Sequence, residues 1–169
     1  HKDEWARLPI TEKIPLFQGV SKKTAEVAEN WVAVAVNAKS IPESSPLVGE
    51  EWASGPWALI YGVESMVGTL QSLDKGKNPP IGKVRTMSSG QVIADIFPYN
   101  IYQRLLLSGI RAEVWMQDDV TEDNFTENVA KVYKSDDESG QVSLVLGGGN
   151  IASIPPLDVL DRLFAHKSV

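Results

Sequence analysis

Cysteine is absent from the 169-residue chain, and histidine occurs only near its two ends, as His1 and His166. The first absence excludes disulfides, thiolate zinc sites and any thiol nucleophile carried by this chain; the second excludes a histidine-rich metal centre. No apolar run approaches the roughly 20 residues needed to cross a bilayer, and His1-Lys2-Asp3-Glu4 lacks the basic-then-apolar order of a secretion signal. No membrane partner is expected, and a cytoplasmic location is the default. Positive charge is also scarce: 16 Lys and Arg stand against 22 Asp and Glu, for a net charge of -6. The basic residues are scattered, with only Lys22 and Lys23 adjacent, so no nucleic-acid partner is expected. Neither a G-x-x-x-x-G-K-[ST] phosphate loop nor a G-x-S-x-G nucleophile turn occurs.

Apolar residues make up 43% of the chain and include five Trp, enough material for a single buried core. The Trp residues at 5, 31, 52 and 57 are expected to pack in that core or an interface. Ile14, Phe17, Val20, Thr24, Val27, Trp31, Val34 and Ala38 recur at spacings of three and four, which predicts a long helix with these residues on its buried face. Thr11 is its expected cap, with Pro15 tolerable only near the first turn. The Pro-, Ser- and Glu-rich stretch 41–55 reads as a loop. A second helix is expected from Pro56, burying Trp57, Ile60, Val63, Val67 and Leu70.

Strands enter after Asn78-Pro79-Pro80. Lys83–Met87 and Gln91–Phe97 around Ser88-Ser89-Gly90 predict a hairpin. Asn100–Ser108 predicts a short helix closed by a left-handed Gly109, Arg111–Met116 a strand, and Thr121–Ala130 a helix capped by Thr121. Asp118-Asp119 and Asp136-Asp137-Glu138 are read as solvated turn charge rather than a metal site. Gln141–Leu146 is an apolar run of the kind found in strands buried on both faces.

After that strand come Gly147-Gly148-Gly149-Asn150, then Pro155-Pro156 and a helix with Leu157, Leu160 and Phe164 on one side. Glycines at the carboxyl end of a strand let a ligand approach the main chain, and the unpaired N-H groups of a following helix favour an anion. Gly147, Gly149 and Ala152 satisfy the G-x-G-x-x-G/A dinucleotide fingerprint, but its acidic ribose partner would fall at or past Val169. By itself the segment reads equally as a ligand site or as a flexible connection. A strand and crossover helix call for a parallel neighbour where His166-Lys167-Ser168-Val169 stands, so the chain is expected to be a fragment of a longer domain.

The run from Val142 to Leu160, Val-Ser-Leu-Val-Leu-Gly-Gly-Gly-Asn-Ile-Ala-Ser-Ile-Pro-Pro-Leu-Asp-Val-Leu, resembles a segment of the aldehyde dehydrogenase superfamily, and most closely its divergent branch that reads Gly-x-Gly-Asn there. Arg111–Met116, the hairpin and the opening helices are similar in order to that family's amino-terminal half. The resemblance implies NAD or NADP as cofactor, a small aldehyde substrate and a catalytic Cys, with the cofactor-ribose Lys and general-base Glu all beyond Val169. It implies that Asn150 donates its amide to the oxyanion and that Leu146, Gly147, Gly148 and Gly149 line the nicotinamide side. Common members carry Pro-Trp before the Asn, where this chain has Gly148-Gly149. It further implies homo-oligomers, for which the 83–97 hairpin is the candidate contact.

The expected fold is therefore α/β, with amino-terminal helices and a β-hairpin followed by a Rossmann-like, partly parallel and incomplete sheet. Residues 1–169 would form the amino-terminal portion of a single cofactor-binding domain, mainly helical over 1–78 and α/β over 79–169. The alternative is a non-catalytic α/β binding or assembly module that retains the scaffold.

Overall fold

The computed structural model describes every residue from His1 to Val169 except Tyr99 and Asp137. Asp137 of the acidic run thus lies outside the described residues. Along the chain run α1 (Lys2–Arg7), α2 (Ile10–Ala38), α3 (Val48–Trp52), a π-helical segment (Ala53–Trp57), α4 (Ala58–Asp74), β1 (Val84–Thr86), β2 (Val92–Phe97), α5 (Ile101–Leu106), β3 (Ala112–Trp115), α6 (Phe125–Asn128), a 3-10 turn (Lys131–Tyr133) and α7 (Ile154–Ala165). The fold is a mixture of helix and strand, gathered into two compact units: His1–Asp74 with Asp136–Val169, and Lys75–Ser135.

In the first unit, α2 packs against α4. Its start is set by extended Pro9, with no side-chain cap, so Thr11 lies inside the helix, as does Pro15. The buried face is also rotated from the expected stripe. It carries Phe17, Thr24, Ala28, Val32 and Val36 together with Lys13, whereas Val27 and Val34 are 50% and 60% exposed. Thr24 can be buried because its hydroxyl donates to the Val20 carbonyl one turn back, at 2.8 Å. The opposing helix presents Leu59, Val63, Val67 and Leu70 as its buried residues, while Trp57, expected there, is 55% exposed and stacks on Tyr61 with ring centroids 5.3 Å apart.

The expected 41–55 loop is helical from Val48 onward. Helical geometry then breaks at Gly55 (φ -101, ψ -108), just before Pro56, and both residues are buried. Gly55 lies close to Trp31: a β-carbon there would stand 3.3 Å from the Trp31 Nε1, so the indole would have to give by a few tenths of an ångström. Across the base of the unit, the two ends of the chain are tied together. Trp5 Nε1 donates to the Leu163 carbonyl at 3.0 Å, Lys2 Nζ donates to the Gly140 carbonyl at 3.0 Å, and the Gly140 N-H donates to Asp3 at 2.9 Å. Phe17 bridges Trp5 and Phe164, its ring centroid 6.4 and 6.1 Å from theirs.

Parallel pairing is confined to one place among the described residues. Gln141 bridges Ser168 in parallel; the Ser143 N-H donates to the Val169 carbonyl at 2.9 Å, and the Val169 N-H donates to Gln141 at 3.0 Å. The expected burial on both faces is not found: Val142, Leu144 and Leu146 are 76%, 84% and 81% exposed. Neither this segment nor Lys167–Val169 is a strand; they meet in one isolated bridge, and of the apolar side chains in the run only Val145 is half-buried.

The second unit is built on an antiparallel sheet in the order β1-β2-β3. The hairpin forms as the Ser88-Ser89-Gly90 signal implies, with Gly90 at φ 90 and Met87 donating to Gln91 at 2.9 Å. One face of β2 supplies Val92 and Ala94 to a small core with Val120 and Phe125. Arg85 on β1 reaches Asp95 on β2 and Glu113 on β3, tying the three strands together. Asn100 caps α5 by accepting from the Gln103 N-H at 2.9 Å, and Gly109 adopts φ 92. The helix expected over Thr121–Ala130 shrinks to Phe125–Asn128. Thr121 and Asn124 spend their side chains on each other's backbone N-H groups, and Ala130 turns left-handed at φ 53, so local bonds replace the first and last turns.

Candidate functional site

The segment joining Gln141 to α7 is held at both ends and open between them. Ser153, 2% exposed, donates its hydroxyl to the Ser54 carbonyl, pinning the start of α7 to the π-helical segment. Gly147 lies against the first turn of α7, where a β-carbon would stand 2.4 Å from Pro155 Cγ. Gly147, Gly148, Gly149 and Asn150 are all exposed. None of their N-H groups is hydrogen-bonded to a described residue.

Asn150 points its side-chain oxygen back over Gly148, 3.3 Å from where that residue's β-carbon would lie. Its carboxamide makes no hydrogen bond with any described residue. An Asn that braced the glycine turn would spend its amide on the backbone; this one keeps it available.

The anion-binding capacity expected of the helix N-terminus is not found. Pro155 and Pro156 have no N-H, the Ile154 N-H donates to Ile151 at 3.3 Å, and the Leu157 N-H donates to Ser153 at 3.0 Å. Proline suits the first turn because it removes donors that would otherwise go unpaired. The available donors are therefore those of the glycine turn and of Asn150.

The turn is flanked by two clefts. One, of about 410 Å3, is lined by Ser143, Leu144 and Leu146 together with Asp158 and Arg162 of α7. Arg162 pairs with Asp161 at 2.6 Å, and His166 approaches the same carboxylate at 3.4 Å. The other, of about 470 Å3, is an apolar groove along α2, lined by Trp31, Val34, Ala35 and Ala38 and closed by Gly149 and Ala152. Of the sequence-designated residues, Leu146 thus lines the first cleft and Gly149 the second. Gly147 and Gly148 lie on the exposed crossing between them, and Asn150 sits between the two groove-lining positions Gly149 and Ala152.

Sequence reasoning did not find the groove, because Trp31 and Val34 read as core positions of α2. The rotated helix face leaves Val34 exposed and Trp31 half-buried. Asp158 and Arg162 stand one turn apart on α7, a spacing that by itself marks no cleft. No group of three potential metal ligands occurs among the described residues. Comparison with family models, curated proteins and solved structures returned no match.

Chemically, the arrangement offers neutral donors beside an apolar groove and a more polar cleft. Such donors, fixed near 3 Å from an oxygen that gains negative charge, stabilise it with little reorganisation.

Proposed function

We propose that this chain forms part of an aldehyde-dehydrogenase-like oxidoreductase that uses NAD or NADP to oxidise a small aldehyde, or to reduce an acyl derivative, through a thiol that lies outside this chain. The unengaged carboxamide of Asn150, exposed between Gly149 and Ala152, is the observation that carries this reading. A donor in that setting suits the oxyanion of a tetrahedral intermediate.

The pairing of Gln141–Ser143 with Lys167–Val169 supports a Rossmann-like continuation. The isolated parallel bridge between Gln141 and Ser168 joins the segments before the glycine turn and after α7, the order of a βαβ unit, and in such units ligands bind at the carboxyl ends of the strands. In this reading the nicotinamide end of the cofactor lies on the Leu146 side, in the cleft of Asp158 and Arg162. The aldehyde lies on the Gly149 side, with its carbon chain along Trp31 and Val34. Gly147, Gly148 and Gly149 allow close approach to the main chain.

The test is NAD(P)H production from an aldehyde panel by the intact gene product. Asn150→Ala should lower kcat about 100-fold or more while leaving cofactor affinity unchanged. A gene product that binds neither NAD nor NADP removes the proposal. One that binds cofactor but turns over no aldehyde favours a non-catalytic binding module, a reading to which Gly148-Gly149 in place of Pro-Trp and the missing thiol give support.

A further inference from the structure

A cavity of about 520 Å3 opens in the second unit between the end of β2 and the turn that follows α5. Its walls are apolar at Phe97, Pro98, Leu107 and Ile110, and two arginines, Arg104 and Arg111, line it as well. We infer that this cavity binds a small soluble phosphate monoester carrying an apolar group. The inference is independent of the oxidoreductase reading, since every residue it uses lies within Lys75–Ser135.

Neither Arg104 nor Arg111 has a carboxylate partner among the described residues. Asp95 also faces the cavity and shares Arg85 with Glu113. With Arg104 and Arg111 added, three guanidinium groups stand against two carboxylates, a local excess of one positive charge in a chain whose net charge is -6. A phosphate monoester matches them: it carries close to two negative charges, and its oxygens accept paired N-H donors from planar guanidinium groups. A carboxylate can also bridge two guanidinium groups, but with one negative charge and one fewer terminal oxygen.

The backbone brings the pair to one place. Asn100 starts α5, which carries Arg104, and Gly109 at φ 92 reverses the chain so that Arg111 returns to the same cavity. The volume falls within the range of about 300 to 1,000 Å3 usual for small-molecule sites. The apolar walls are suited to an organic substituent rather than to free phosphate. A lipid headgroup would offer the same phosphate chemistry, and Ile101, Leu105 and Leu106 on α5 are exposed. Arg104 and Arg111 line a cavity with Phe97 and Pro98 and have no adjacent basic residues that would extend them into a basic face, which favours the soluble ester.

The experiment is titration of the full chain with phenyl phosphate, followed by NMR of the Gly109 amide and the Arg104 and Arg111 Nε-H groups. Saturable shifts at these three positions are expected, with weaker binding of inorganic phosphate. R104Q/R111Q should weaken phenyl phosphate binding by roughly tenfold or more. Both arginines are exposed, so the double variant should keep the unperturbed spectrum of the sheet; the wild-type shift pattern serves as a second, variant-free test. Absence of saturable shifts, shifts elsewhere only, or unchanged affinity in a folded double variant would overturn the inference. So would sedimentation with phosphatidic acid vesicles in a chain that ignores phenyl phosphate.

Discussion

Gly147 and Pro155 are packed so closely that a β-carbon on the glycine would lie 2.4 Å from the proline Cγ. The proline ring cannot rotate away, so the turn admits no side chain at this position. Gly147→Ala should destabilise the first unit by about 1 to 3 kcal/mol, the usual range for overpacking, and should displace the glycine turn. Thermal unfolding checks the stability, and cofactor titration of the intact gene product checks the turn. An unchanged Tm would show that the turn swings away freely.

Ser153 holds the other side of the same turn. Ser153→Ala leaves the Ser54 carbonyl without its donor in a buried setting, at a cost of about 1 to 2 kcal/mol. Chemical denaturation should show a lower midpoint with an unchanged slope. Increased amide exchange at the start of α7 should accompany it.

The Lys39–Glu51 pair, 2.6 Å apart, is asymmetric: the Glu51 side chain is 4% exposed and that of Lys39 33%. Removing the lysine strands a buried carboxylate, whereas removing the acid leaves an ammonium that water can reach. Lys39→Met should therefore cost about 3 kcal/mol and Glu51→Gln roughly 1 kcal/mol, measured by urea unfolding. Equal losses would show that water reaches the carboxylate.

Burial, with a contribution from Lys167, lowers the Lys13 ammonium below its ordinary value of 10.5. On raising the pH, the folded chain gives up this proton before the unfolded chain does. Between the two values the unfolded state holds more protons, so stability from this group rises with pH and levels off above 10.5. Lys13→Met, which preserves the stem against Trp5 (now 5.0 Å from the ammonium), should abolish that rise. Urea midpoints measured from neutral to strongly alkaline pH decide it.

Much of the local structure was legible in the sequence where one residue dictates one backbone geometry. Gly90 and Gly109 marked positive φ values, Asn100 marked a helix start, and alternation around Ser88-Ser89-Gly90 marked the hairpin. Phase and burial were less legible, since they depend on partners distant along the chain. The α2 stripe was right at Phe17 and Thr24 but misplaced beyond them, where Ala28, Val32 and Val36 are buried while Val27 and Val34 are left exposed. The doubly buried strand was misjudged because hydrophobicity alone does not supply neighbours for Val142 and Leu144. Asn150 and its glycines were legible as a motif, but Trp31 was not legible as their companion, because only the fold brings α2 to Gly149.

The first unit draws on two stretches far apart in sequence, His1–Asp74 and Asp136–Val169, with Lys75–Ser135 inserted between them. During synthesis its opening helices leave the ribosome well before the residues that complete them. Trp5 has to wait for Leu163, and Lys2 and Asp3 for Gly140. Domains generally fold as units, and exposed apolar surface in partial chains invites aggregation. The inserted unit can close while the first remains unfinished, so the nascent chain passes through a stage when α2 and α4 need protection that only Asp136–Val169 will provide.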